Sequence, residues 1–497
     1  MGKINKQLLG RGTAFIYIQL MVSAISGYAF WIILSHLVSS ALIGSLSTII
    51  ALTEILANIA VIGTSDSIQR NLGRTLTEQK IRDSRVFVAA SVLCITLGSI
   101  ISGLLILYGG TFFEFVENDP DLKSIIILLV VSSSIRILLY SIVLSSLKTE
   151  VLAVASIVST TAKIVLSIIL VLSGAGIVSL SISYIFVGEL LSSVILGIVT
   201  IRLLKSVPIK DSHPKISFIY AFKNILTGGV ASWIPIVVTS LGYQLGTIVV
   251  FGSKGSGDTA IYFISLSLVN IILFGTNALA AIALPALSSL KDARKRLAWQ
   301  TIRWGYLISV PLSSSLVFYS QEILRLFGEN YVGGEATLQI LLQSILPTVV
   351  ANGVTTLVYS YGNYKQSLTI ELVMGIPRIL LYFILIPIYG PIGGAISFTV
   401  GSVLAFVISI MIARKIGMFI FWKDLILVII IPSLIGFSLY ALKINFLAGI
   451  VITLLATYLI LLKLGTITWS DLDDMTSILP NGIASPVSGL LKKLKGL

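Results

Sequence analysis

Fourteen stretches of roughly 20 mostly apolar residues succeed one another along the 497-residue chain, and each is long enough to cross the hydrocarbon of a bilayer as a helix. Within lipid every backbone polar group must be satisfied inside the protein, so this one feature fixes the fold class as an all-α polytopic membrane protein. The expected spans are Thr13–Leu37, Leu42–Ser67, Val86–Tyr108, Ser124–Leu147, Val151–Leu172, Ile177–Ile201 and Gly229–Phe251 in the first part of the chain. They continue as Thr259–Leu284, Thr301–Tyr319, Ala336–Val358, Ser367–Ile388, Ile392–Ala413, Leu425–Leu442 and Phe446–Leu462. Composition agrees: 56% of residues are hydrophobic, 11% are charged and the mean hydropathy is +1.02, whereas soluble domains are about a quarter charged. The basic flank MGKINKQLLGRG looks like the start of a signal peptide. The apolar run after it is too long for a cleavable segment and no A-x-A-like site follows, so it reads as a retained first span.

Charge sets the expected orientation. The N-terminus, every second connection and the tail hold 27 of the 34 Lys and Arg, counting Arg303 at the inner end of its span. That side reads as cytoplasmic. The opposite connections carry Lys123, Lys254, Arg325 and Lys443, and the two longest hold the acids Glu114, Glu117, Asp119 and Asp121, then Glu322, Glu329 and Glu335. The net charge of +13 is thus mostly a topology signal, and its spread over many short loops argues against a nucleic-acid partner. A multi-pass plasma-membrane protein with both termini in the cytoplasm is expected. Cys94 is the single cysteine and His36 and His213 are the only histidines, which leaves no intramolecular disulfide and no metal cluster.

The stretch LIPIYGPIGGAIS, Leu385 to Ser397, interrupts the hydrocarbon with two prolines and three glycines, and predicts a tight outer hairpin in which Pro387 to Gly394 ends one span and starts the next. It has a fainter earlier copy. Gly176, Ile182 and Ser183 recur as Gly390, Ile396 and Ser397 at an offset of 214, Gly27-Tyr28 recurs as Gly242-Tyr243 at 215, and Glu117-Asn118 as Glu329-Asn330 at 212. The chain therefore divides into two pseudo-symmetric six-helix lobes, residues 1–212 and 213–417, followed by two accessory helices in 418–464 and a cytoplasmic tail, 465–497. An even number of spans per repeat makes the repeats parallel, a common plan among transporters.

Ionisable residues inside spans cost about 2.5–3.5 kcal/mol each on insertion scales and so call for a reason. Five sit near span centres: Glu54, Arg136, Lys163, Glu189 and Arg378. Asp66 and Glu371 lie nearer the cytoplasmic ends of their spans and, with Arg70 in the adjoining basic loop, are candidates for gating or structural roles. Simple helix-to-helix pairing, such as Glu54 with Arg136 and Glu189 with Lys163, would use both acids and still leave one base over. The alternative is a water-filled cavity between the lobes with an excess of positive charge, suited to a phosphate group held by Arg forks and a Lys point charge. On that reading Arg136, Lys163 and Arg378 bind substrate, together with the repeat-related Tyr28 and Tyr243, and Lys163 and Arg378, at offset 215, clamp one phosphate. Glu54 and Glu189 are candidate H+ or Na+ coupling sites, since a carboxylate in low dielectric gains from neutralisation. Prolines are lopsided in the other direction: Pro235, Pro311, Pro347 and Pro377 all lie within second-half spans. If one lobe bends, the second is the better candidate.

LIPIYGPIGGAIS, DTAIYFISLSLVNIILFG (Asp258 to Gly275), LPALSSL after span eight and LRLFGENY before span ten together resemble the Wzx-type polysaccharide and oligosaccharide flippases. These belong to the superfamily (MOP) that also holds the multidrug (MATE) exporters and the lipid II flippases. The resemblance implies two six-helix lobes around a central cavity, with accessory last helices. It also implies alternating access that moves a glycan on polyprenyl phosphate or pyrophosphate from the cytoplasmic to the outer leaflet, among membrane lipids and glycan-assembly proteins. Gln244 departs from members that carry an acid in the corresponding span. A MATE-like exporter of organic molecules is the alternative; fourteen spans and a basic excess weigh against it. A membrane glycan ligase or polymerase is disfavoured because no outer connection exceeds about 16 residues, short for a sugar-handling domain. No Walker A pattern occurs.

Overall fold

The computed structural model describes residues 26–78, 80–108, 120–146, 148–174, 176–205, 216–289 and 294–468. The first half of the first span, the acidic loop with Glu114, Glu117 and Asp119, and the tail beyond Thr468 lie outside the described residues. Among those described there is no strand. The helices are α1 (26–37), α2 (Ser40–Val61), α3 (Thr64–Thr77), α4 (Ile81–Tyr108), α5 (Pro120–Ser145), α6 (Thr149–Leu172), α7 (Ile177–Ser181) and α8 (Gly188–Lys205). After them come α9 (Phe218–Lys254), α10 (Ser256–Ser289), α11 (Arg294–Phe318), α12 (Ser320–Arg325), α13 (Glu335–Leu342), α14 (Ile345–Ser360), α15 (Tyr364–Tyr389), α16 (Pro391–Lys415), α17 (Trp422–Ala441) and α18 (Phe446–Lys463).

Eleven candidate spans among the described residues are long and apolar enough to cross a membrane. The other three expected spans differ for local reasons. The first is described only from residue 26; the sixth is cut by a π-helical segment, Ile182–Val187, between α7 and α8; the ninth, α11, opens with Arg294, Lys295 and Arg296 and also carries Arg303.

The second span ends earlier than expected. Ile62 and Gly63 both take left-handed backbone, φ 48° and 66°, and close α2 at Val61, so that Asp66 falls in the first turn of a new, polar helix, α3. A glycine is required at 63 twice over: its φ is positive, and a Cβ there would lie 2.1 Å from the carbonyl oxygen of Gly229 on α9. LIPIYGPIGGAIS forms the hairpin expected of it, but more tightly. Pro387 remains inside α15, Gly390 at φ 58° supplies the whole turn, and Pro391 opens α16, where its missing N–H is an orphan anyway.

The helices pack as two units. One reaches to Ile264 and takes in Met374–Ser397; the other comprises Ser265–Val373 and the chain from Phe398 onward. In the first, α2 is apolar on nearly all sides and enclosed by α4, α5 and α9, as a helix without a polar face must be. In the second, α11 packs on α14 and on the paired final helices α17 and α18.

Candidate functional site

Within the first unit α5, α6 and α8 enclose a polar cavity of about 180 Å³. Helical spacing delivers its lining. α5 contributes Arg136 and, one turn on, Tyr140; α6 contributes Leu152, Ser156, Ser159, Thr160 and Lys163 as one stripe; α8 contributes Gly188, Glu189, Ser192 and Leu196. Two bases and one acid thus share the cavity with four hydroxyl-bearing Ser and Thr residues. Arg136 Nε donates to Glu189 Oε2 in an ion pair, with the arginine side chain 34% and the glutamate 20% exposed. Gly188 matters to its neighbour across the cavity: a Cβ there would meet Lys163 Cδ at 3.4 Å, so the lysine stem lies directly against bare backbone. The π-helical turn ends at Val187, immediately before these two residues. Such turns are rare and often mark functional positions.

A second polar seam joins α2 to α9. Glu54 accepts a hydrogen bond from Gln244 Nε2, and one turn away Asn58 Nδ2 donates to Ser240 Oγ at 3.2 Å, while Trp233 Nε1 donates to the Asn58 carbonyl at 3.2 Å. Glu54 is the one exposed side chain between Ile43 and Val61 on an otherwise enclosed helix, which marks it as facing open space. It lies within electrostatic range of Arg136, Lys163 and Glu189. Polar contacts continue between α3 and α9, where Asn71 Nδ2 donates to Asn224 Oδ1 at 2.9 Å and Arg70 Nη2 to the Gly228 carbonyl at 3.3 Å.

Where the sequence suggests Glu54 with Arg136 and Glu189 with Lys163, the structure joins Glu189 to Arg136 and Glu54 to Gln244. The reason is register: Arg136 and Glu189 come from facing helices at one level of the cavity, and α9 interposes an amide in front of Glu54. Gln244, seen in the sequence as a missing acid, is instead a partner to one. Arg378 is not among the residues that line the cavity holding Lys163. It is 1% exposed, with its guanidinium carbon 5.1 Å from the Tyr243 ring centroid, beside Gly242 and near Tyr382, whose hydroxyl donates to the Gly242 carbonyl at 2.8 Å. Tyr28 on α1 and Glu371 on α15 are half-buried, as is Asp66 in the first turn of α3. Asn58, Ser240 and Asn224 escaped notice in the sequence because uncharged polar residues are common in spans; for Asn58 and Ser240 the signal was i, i+4 spacing with Glu54 and Gln244, and for Asn224 there was none.

No protein-family model matches the sequence, and no curated protein matches it significantly. Solved structures do match. The lipid II flippase MurJ in an inward closed conformation superposes with a TM-score of 0.63 at 15% identity, covering 86% of this chain and 97% of that one. An inward-facing multidrug resistance MATE family transporter of the MOP superfamily gives 0.61 at 14% identity over 81% and 97%. A point mutant of the Vibrio cholerae MATE transporter VcmN gives 0.57 at 15% over 82% and 98%. The chain has the many-helix fold shared by the lipid II flippase MurJ and the MATE transporters.

Proposed function

We propose that the chain is a flippase that moves a lipid-linked oligosaccharide or polysaccharide repeat unit from the cytoplasmic to the outer leaflet of the plasma membrane by alternating access, driven by an H+ or Na+ gradient. The observation that carries this reading is the cavity of Arg136, Lys163 and Glu189 amid Ser and Thr hydroxyls between α5, α6 and α8. Two bases against one acid favour an anionic group, and a guanidinium fork beside an ammonium suits the phosphate of a polyprenyl phosphate or pyrophosphate carrier. MurJ, by its name a lipid II flippase, supports the same class of substrate by likeness of fold. In this scheme Arg136 and Lys163 receive the phosphate, Tyr28 and Tyr243 continue the path of the headgroup, Arg378 holds the Tyr243 ring from its buried position, and Glu54 and Glu189 carry the coupling ion.

Reconstitution tests it. Proteoliposomes holding a fluorescent short-chain polyprenyl-pyrophosphate saccharide should lose their protected inner-leaflet label to a membrane-impermeant quencher faster than protein-free liposomes, and Lys163→Ala should slow this by about tenfold, the worth of one charge-assisted hydrogen bond. Ethidium uptake without movement of the lipid-linked saccharide would overturn the reading in favour of a MATE-like exporter.

A further inference from the structure

Three helix ends meet at one end of the second unit, outside the site described above. Arg294, at the start of α11, donates from Nη1 to the Ser360 carbonyl at 2.9 Å and lies 5.1 Å from the Tyr361 ring centroid, which joins α11 to the α14–α15 connection. Lys295 Nζ stands 3.3 Å from where a Cβ on Gly417 would be, and the Trp299 ring is 5.5 Å from that of Phe421, which joins α11 to the α16–α17 connection. Arg414 lies 5.7 Å from the Trp422 ring centroid.

The chemistry of this rim is one-sided. Residues 294–299, 359–366 and 414–424 contain seven bases and one acid, Asp424, whose carboxylate is turned toward Arg303 at 3.9 Å. Lys295, Arg296, Lys365, Lys415 and Lys423 are exposed. So are large aromatic rings, with Phe419 at 82%, Tyr364 at 62% and Phe421 at 52%. α11 also opens with three bases and no acid in its first turn, although the positive end of a helix disfavours cations. The basic loop of the first unit behaves differently: there Glu78 bridges Arg74 at 3.0 Å and Lys80 at 2.7 Å, so part of that charge is already answered.

We propose that this rim is a binding site for anionic phospholipid headgroups of the adjoining leaflet, their phosphates on Lys295, Arg296 and Lys415 and their glycerol and upper acyl regions against Phe419, Phe421 and Trp422. Exposed aromatic rings settle at headgroup depth, and clustered Lys and Arg just beyond a span attract anionic lipid. A free phosphate would use the bases and leave the rings in water. The inference is independent of what the protein transports.

The full chain in nanodiscs tests it through tryptophan quenching, with brominated phosphatidylglycerol compared with brominated phosphatidylcholine at equal mole fraction and Trp422→Phe identifying the share due to Trp422. Phosphatidylglycerol should quench Trp422 with about tenfold higher apparent affinity at low salt, and the Lys295→Gln, Arg296→Gln, Lys415→Gln triple variant should bring the two lipids to within about twofold. If the triple variant aggregates, Lys295→Gln and Lys415→Gln, on separate elements, should each reduce the preference by itself. Equal quenching by both lipids, or a preference untouched by these variants, overturns the proposal. So does reversal of the phosphatidylglycerol effect by inorganic phosphate but not by chloride of equal ionic strength, which would make free phosphate the ligand.

Discussion

Arg136 and Glu189 answer each other's charge inside the membrane, and removing either leaves the other to be desolvated alone. Because both side chains remain partly exposed, the cost of Glu189→Gln or Arg136→Gln should fall below the roughly 3–5 kcal/mol typical of fully buried pairs, yet be visible as lower thermal stability in detergent. The double variant Arg136→Gln/Glu189→Gln should recover stability without recovering transport; recovery of both would reduce the pair to a structural bridge. Glu54→Gln poses a different question. An amide can still hydrogen-bond Gln244, so protein abundance should hold while gradient-driven transport is lost, and normal transport at every gradient would remove Glu54 from coupling. Arg378 is buried against Tyr243, and Arg378→Ala should lower abundance, with Arg378→Lys restoring only part because the planar face over the ring is gone. These four central charges, and Lys163 with them, were legible from the sequence as exceptions in apolar runs. Their partners were not, because pairing depends on which helices face each other at one height, and a list of spans carries no rotation about their axes.

At the scale of elements, punctuation read well where it was made by proline and glycine and poorly where it was made by backbone geometry alone. The one-residue turn at Gly390 lies within the predicted hairpin. The corner at Ile62–Gly63 was missed because VIGTS contains a single glycine in a continuous apolar context, and its need arises from Gly229 on another helix. Gly63→Ala should therefore destabilise far more than the roughly 1 kcal/mol of an ordinary strained glycine, since α3 cannot approach α9, and a trypsin time course should show early cleavage after Arg70 or Arg74. The π-helical segment Ile182–Val187 left no compositional mark at all. It widens the helix by the equivalent of one inserted residue, so deleting a single residue within it should restore α-helix with Glu189 still facing Arg136, and a cysteine pair placed at 136 and 189 should still cross-link. The α3–α4 connection offers a pH dependence that needs no membrane argument. Hydrogen bonds from Lys80 and Arg74 hold the Glu78 carboxyl below the usual carboxylate range. A lowered pKa means that its contribution is present above the ordinary carboxylate value and lost as pH falls through the folded one. Acidification should therefore loosen this connection, read as faster tryptic-type cleavage by an acid-tolerant protease, and Glu78→Gln should remove the pH dependence of that cleavage.

For the whole molecule, charge asymmetry between connections remains the strongest guide to orientation. Reporter fusions at Lys148 and at Gly465 should both read as cytoplasmic; an outer signal from either would undo the topology and the parallel repeat with it. The all-helical, many-span fold was legible because lipid allows so few solutions. The packing units were not, because they join segments far apart in the chain. Residues 374–397 belong with the helices that precede residue 265, where a Cβ on Gly375 would meet Val238 Cγ1 at 2.4 Å and Tyr382 reaches the Gly242 carbonyl. Biosynthesis must cope with that order. A ribosome delivers α9 more than a hundred residues before the segment that covers it, so during translation the glycine-bearing face of α9 stays bare in the membrane, open to quality-control proteases or to a holding chaperone. Chains stopped at residue 373 should be cleared rapidly in pulse–chase, and supplying residues 374–497 as a separate polypeptide should lengthen their life.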